Sequence, residues 1–314
     1  MTALSVIVPF YNSSRFIEKA VRCLKNQNIK DIKFILVDDG STDRTKESLE
    51  LLTRDDKRFE IISNKKNLGY GYSVNKGIKR AGSEYIGIFE PDDWIPNDFY
   101  SELLENKGAE VVKYNGIYKQ ANNGKCTQLF HYYNHPLEIF RVREYQKYWV
   151  SHPSITNAIY KREFLLRNKV EFCTGGGASY QDVQFNISLY NANPTIKIVD
   201  KCKYYYLENQ QQSVKNLTVI KLSQVFENWI QESQKKRDLP SEEYFQISLY
   251  RHLLKLYKIG NPLIKKKIFN FYLTQEQENK KRLPLFRYKN FNIKGIDFIC
   301  LLIVRSIIWT KQFF

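Results

Sequence analysis

The stretch Ile86-Gly87-Ile88-Phe89-Glu90-Pro91-Asp92-Asp93-Trp94 is an apolar run that ends in three carboxylates around a proline. Carboxylates gathered at the end of a buried strand are expensive to desolvate unless a cation or hydrogen bonds compensate them. A hard divalent cation carrying phosphate oxygens is one such compensation, because Mg²⁺ typically takes one or two carboxylates plus substrate phosphates. A solvated acidic turn, with Asp92 or Asp93 capping the next helix, is the other. Two further segments have the same layout. Val37-Asp38-Asp39-Gly40-Ser41-Thr42-Asp43 is a strand that ends in paired acids, then a glycine, then a helix start. Its carboxylates can accept from a nucleobase N–H or from ribose hydroxyls, while Ser41 or Thr42 can cap the helix. Pro9-Phe10-Tyr11-Asn12 offers an aromatic face on which a base can stack.

These three segments need elements that bring them together. Leu4–Pro9, Ile32–Val37, Phe59–Ile62 and Tyr85–Phe89 read as short apolar strands. Ser14–Asn26, Thr42–Leu52 and Gly71–Ala81 read as helices, the first with Phe16, Ile17, Ala20, Val21 and Leu24 at helical spacing. Apolar strands alternating with amphipathic helices predict an α/β fold, a mainly parallel sheet covered on both faces. Ligands of such sheets bind outside the carboxyl ends of the strands. That rule places Tyr11, Asp38-Asp39 and Glu90-Asp92-Asp93 along one edge. Shorter strands are expected at Glu110–Tyr114 and Thr195–Val199, with a loop-rich stretch at Thr174–Ala178 between them.

The motifs Ser5–Asn12, Val37–Asp43, Asn67-Leu68-Gly69 with Asn75-Lys76-Gly77, and Glu90–Trp94 together closely resemble the family 2 glycosyltransferases, inverting enzymes of GT-A fold that use nucleotide-sugar donors. The resemblance is in register across residues 4–98 and looser to about 213. It implies a catalytic domain over 1–213, with a nucleotide-sugar half to about 108 and an acceptor half over 109–213. It further implies that Tyr11 and Asp39 contact uracil, with Pro9 and Asp38 beside them and Lys66, Asn67 and Gly69 bordering the nucleotide. Glu90, Asp92 and Asp93 fall at the family's acidic motif. Asp92 is the expected Mn²⁺ or Mg²⁺ ligand between the phosphates, and Glu90 a ligand or a ribose contact; Asp93 is expected on the nucleotide sugar. Glu90 departs from the family's aspartate by one methylene. Asp182, at the start of a helix over Val183–Tyr190, is the expected base, and Gln181 stands where the family usually has a second acid. His152 precedes a segment resembling the acceptor wall. After Tyr204-Tyr205-Tyr206 no histidine or arginine follows at the expected place.

The net charge of +16, from 49 Lys+Arg against 33 Asp+Glu, invites polyanionic partners. No nucleic-acid-reading motif accompanies it, so nucleic acid is not expected. Five scattered cysteines without a C-x-x-C pair fit a reducing compartment, and the first residues do not read as a signal peptide. A helical appendage is expected over 214–290. Over 291–314 an amphipathic helix is expected, with eleven apolar residues in the fourteen from Ile296 to Trp309. That helix reads as an interfacial anchor on an anionic membrane surface. The expectation is a cytoplasmic, peripheral enzyme at the inner membrane face. It moves a hexose, with glucose favoured, from a UDP-sugar to a glycan or lipid-linked oligosaccharide. A binding module with degenerate catalysis is one alternative. A nucleotidyltransferase is another, although Phe10–Arg15 lacks its glycine-rich phosphate loop.

Overall fold

A computed structural model describes residues 2–121, 123–131, 136, 138–145, 154–174 and 181–207, with isolated positions 262, 266 and 270. The chain divides into two compact units, one of residues 1–144 and 152–216, the other of 145–151 and 217–314. The expected appendage, the C-terminal helix, His152 and most of the glycine-rich loop lie outside the described residues. No described helix is long and apolar enough to cross a membrane.

The first unit is built on one sheet. Strands β1 (Leu4–Phe10), β2 (Ile32–Asp38), β3 (Phe59–Ser63) and β4 (Tyr85–Ile88) lie parallel in the order β3-β2-β1-β4. Every residue of β1 and β4 is buried, as continuous apolar runs covered on both faces must be. Helices α1 (Ser14–Lys25), α2 (Thr45–Thr53) and α3 (Tyr70–Arg80) connect them. Helix α3 lies so close to the sheet that a Cβ on Gly77 would sit 2.4 Å from Ile7 Cγ2. The absent side chain there is a packing requirement.

Helix α2 starts at Thr45 rather than Thr42. Asn12 is the physical reason, because its Oδ1 accepts from the Thr42 amide at 2.9 Å and holds residues 41–43 against the loop after β1.

The sheet continues through β8 (Ala158–Lys161), antiparallel to both β4 and β5 (Val111–Gln120). Strand β9 (Thr195–Leu207) then runs parallel to β5, flanked by β7 (Phe140–Arg141); β6 (Cys126–His131) pairs the far end of β5. Strands β5 and β9 run well past the expected 110–114 and 195–199. Two register breaks between Tyr114 and Ile117 let the pair bend and keep bonding. Short α4 (Phe99–Glu105) and α5 (Arg162–Arg167), with α6 (Gln181–Asn191), complete the described elements.

Candidate active site

The carboxyl ends of β1 and β4 open on a cleft of about 310 Å³, lined among others by Pro9, Tyr11, Arg15, Glu90 and Asp92. Two loops are stitched together at its rim. The Asn12 amide donates to Ser41 Oγ at 3.0 Å, the Ser13 amide to Thr45 Oγ1 at 2.8 Å and the Ser14 amide to Asp43 Oδ2 at 3.2 Å. Asn12 adopts a left-handed backbone, φ 47°, a conformation that is uncommon for a residue with a side chain. This tight turn leaves the Tyr11 ring 45% exposed at the rim. An exposed aromatic held on such a loop offers a flat face to the cleft.

Asp39 is 3% exposed and organises the next loop. Its Oδ1 accepts from Asn64 Nδ2 at 2.8 Å and from the Leu68 amide at 2.9 Å, while Oδ2 accepts from the Gly69 amide at 2.8 Å. A carboxylate has about four acceptor positions, so one is left for a ligand N–H. Asn64 is oriented in turn by Lys76 Nζ, 2.7 Å from its Oδ1. Gly40, at φ 70°, lets the chain pass beside the same loop, and a Cβ there would lie 2.5 Å from the Lys66 carbonyl carbon. Asp38 is buried and accepts from the Ser41 amide at 3.2 Å. Lys66 and Asn67 are exposed along the loop.

Replacing Asp39 with Ala leaves a buried amide side chain and two backbone N–H groups without their acceptor, at about 1–3 kcal/mol each when unsatisfied. The expected result is a loss of several kcal/mol in urea unfolding, with proteolytic nicking of residues 64–69. Asp39→Asn, which keeps one oxygen, should lose less than half as much.

The acidic motif divides its labour. Glu90 and Asp92 face the cleft. Burial, with the charges of Asp92 and Asp182 adding to it, raises the Glu90 carboxyl to about 8, against the lowering effect of a hydrogen bond from Tyr70. Asp93 has protein partners. It is 2% exposed and turned inward to β9, where Oδ2 accepts from the Tyr204 hydroxyl at 2.5 Å and Oδ1 from the Leu207 amide at 3.0 Å. Trp94 exchanges backbone hydrogen bonds with Tyr205 at 3.1 and 3.0 Å. Asp93 therefore fastens the motif to the sheet.

Asp182 lies in the first turn of α6, with Oδ1 accepting from the Val183 amide at 2.8 Å. Its charge is felt at Glu90, Tyr70, Tyr206 and Lys113, which puts it in the same electrostatic neighbourhood as Glu90. Burial, then the charges of Asp93, Asp92, Glu90 and Asp182, push the Tyr206 hydroxyl up to about 12. It stays protonated at neutral pH.

Among the described residues no three metal-binding side chains cluster. Glu90 and Asp92 on one cleft still match a Mg²⁺- or Mn²⁺-type cation that takes one or two carboxylates and fills its shell with phosphate oxygens and water. The donor set fits a cation that arrives with a diphosphate.

Tyr70, Tyr206 and Lys113 were not singled out from the sequence. Lys113, near the start of β5, is 1% exposed and donates to the Ser154 carbonyl at 2.5 Å. Burial lowers its ammonium from 10.5 to about 7, against the raising effect of Asp182. Below pH 7 both folded and unfolded chains hold this proton, so the burial cost is at its full value. As pH rises from 7 toward 10.5 the folded amine is already neutral while the unfolded one still binds a proton, and stability is regained. Lys113→Met is therefore expected to raise the melting temperature most near pH 6 and progressively less toward pH 10. An equal shift at both pH values would contradict the assignment.

The sheet order and the acid-bearing strand ends match the GT-A fold of nucleotide-diphospho-sugar transferases. The profile of glycosyl transferase family 2 matches residues 5–167, and the chain belongs to that family. It is 30% identical over 217 residues to the uncharacterized glycosyltransferase EpsJ of Bacillus subtilis, covering 66% of this chain and 61% of that protein. It is 32% identical over 126 residues to the GalNAc(5)-diNAcBac-PP-undecaprenol beta-1,3-glucosyltransferase of Campylobacter jejuni, covering 39% of this chain and 41% of that enzyme. The chain thus spans less than two thirds of either relative. In fold it is similar to S. aureus TarS crystallised with UDP-GlcNAc, at TM-score 0.60 and 20% identity over 82% of this chain and 73% of that one.

Proposed function

We propose that this chain is an inverting glycosyltransferase that moves a hexose, glucose by preference, from a UDP-sugar to a glycan acceptor carried on a lipid. The observation that carries the reading is the convergence of an exposed Tyr11, the cleft-facing Glu90 and Asp92, and Asp182 at one end of the sheet. Uracil stacks on Tyr11 and donates its N–H to the free position on Asp39. Lys66, Asn67 and Gly69 border the nucleotide, with Pro9 and Asp38 beneath it. A Mn²⁺ or Mg²⁺ ion, when bound with the diphosphate, neutralises charge on the leaving group. Asp92 is its main protein ligand. Asp182 takes the proton from the acceptor hydroxyl as that oxygen attacks the anomeric carbon on the face opposite the departing UDP. Glucose and a lipid carrier rest on the similarity to the Campylobacter enzyme, whose name gives both a glucosyl transfer and a polyprenyl-diphosphate acceptor. The basic, apolar residues 291–314 would hold the protein at the cytoplasmic face of an anionic membrane.

The test is a panel of UDP-glucose, UDP-galactose and UDP-N-acetylhexosamines offered with undecaprenyl-linked oligosaccharides, following UDP release with MnCl₂ or EDTA. Acceptor-dependent release that EDTA abolishes, fastest with UDP-glucose, is the expected result. Donor binding with no release for any acceptor points to a binding module. Deleting residues 291–314 should abolish co-sedimentation with phosphatidylglycerol vesicles; unchanged sedimentation would refute the anchor.

A further inference from the structure

Glu90 stands where the family has an aspartate, and the structure supplies a physical partner for the added methylene. The Tyr70 hydroxyl donates to Glu90 Oε1 at 2.5 Å, at the far end of the side chain. An aspartate would stop about one C–C bond, about 1.5 Å, short of it.

Tyr70 is itself fixed from two directions. On the nucleotide side, the Gly69 amide just before it is bound by Asp39 at 2.8 Å. One turn further along α3, Ser73 Oγ accepts from Asn64 at 3.0 Å. On the acceptor side, the Asn75 amide pairs with both backbone groups of Phe172, at 2.8 and 2.9 Å. The first turn of α3 is pressed against that segment so closely that a Cβ on Gly71 would lie 2.0 Å from the Cys173 carbonyl oxygen. The Tyr70 ring meets Phe172 edge-on at 5.8 Å, and Phe172 stacks on Phe185 of α6 at 4.4 Å. Tyr70 thus follows directly on the nucleotide loop in sequence, and its side chain touches both the first acid of the acidic motif and the packing behind the helix that carries Asp182.

We propose that Tyr70 is a positioning residue that holds Glu90 in place, leaving Asp92 as the principal carboxylate on the cation. The inference rests on the reading of the cleft as a UDP-sugar site. Because Tyr70 commits one Glu90 oxygen, the other is presented in a fixed direction to the cation's water shell or the ribose. Glutamate is then the functional acid at position 90 because the tyrosine is at position 70. In the pair, shortening the acid and deleting the hydroxyl break the same link, so their effects should not multiply.

The test is calorimetric titration of the full chain with UDP, with MnCl₂ and with EDTA, for wild type, Tyr70→Phe, Glu90→Asp and the double variant. Tyr70→Phe is nearly isosteric, and its melting temperature serves as the control for folding. The expected result is that Tyr70→Phe weakens Mn²⁺-dependent UDP binding about 5–20-fold while binding in EDTA changes less than about twofold. Glu90→Asp should lose more, since it leaves the part-buried phenol without its acceptor. The double variant should bind as well as Glu90→Asp or better. Wild-type affinity in Tyr70→Phe, an equal loss with Mn²⁺ and with EDTA, or multiplied losses in the double variant would overturn the proposal while the functional reading stands. Failure of the wild type to bind UDP under either condition would overturn both.

Discussion

Asp182→Asn is expected to lower turnover by about 10²–10⁴-fold, the usual contribution of a positioned general base, with little change in affinity for UDP. The substitution keeps the shape of the side chain and an oxygen to accept from the Val183 amide, now 2.8 Å from Oδ1. What it removes is the ability to take a proton. Helix α6 is buried on nearly every side, with Val183, Phe185 and Ile187 among its buried residues, so Asn at the partly exposed position 182 should fold normally. Because the charge of Asp182 contributes to raising Glu90, the variant should also let Glu90 ionise at lower pH. Unchanged UDP release in Asp182→Asn would remove the base from this helix, and equal losses in binding and turnover would make it structural.

Asp92→Asn is expected to have the second largest effect, about 10²–10³-fold in turnover, since polarising a phosphoryl oxygen with a cation contributes several kcal/mol and each factor of ten corresponds to about 1.4 kcal/mol. Its signature differs from that of Asp182. UDP affinity should fall together with turnover, and raising MnCl₂ should recover part of the loss, because the defect lies in holding the cation. Asp93→Asn, one residue away, should behave otherwise. Its carboxylate serves Tyr204 and Leu207, so the loss should appear in thermal stability with no dependence on MnCl₂. This contrast between neighbouring acids separates a cation site from a general acidic requirement.

Much of the site was legible because the sheet is parallel where it matters. Apolar strands at 4–10, 32–38 and 85–88 must end at one edge, so Tyr11, Asp39 and Asp92 could be placed together without coordinates. The division between Asp92 and Asp93 was not legible. Successive side chains leaving a strand diverge, and which one meets the cleft depends on β9, more than a hundred residues further on. Tyr70 was hidden for a similar reason. In sequence it reads as an aromatic at a helix start, and its role comes from a hydroxyl contact with a residue twenty positions later. Lys113 falls in a strand whose burial is completed by β8 and β9, so an isolated lysine in an apolar run gave no sign of its partner at Ser154. The length of β9 was missed because register breaks, and not apolar periodicity, carry its pairing past Val199.

The claim on which everything else depends is that a uridine nucleotide lies against Tyr11 at the carboxyl ends of β1 and β2. Photolabelling the full chain with 5-azido-UDP-glucose in MnCl₂, followed by peptide mapping, tests it directly. Label is expected within residues 5–15 or 64–72, displaced by unlabelled UDP and lost in Tyr11→Ala. Label confined to other peptides, or label that excess UDP does not displace, would contradict it.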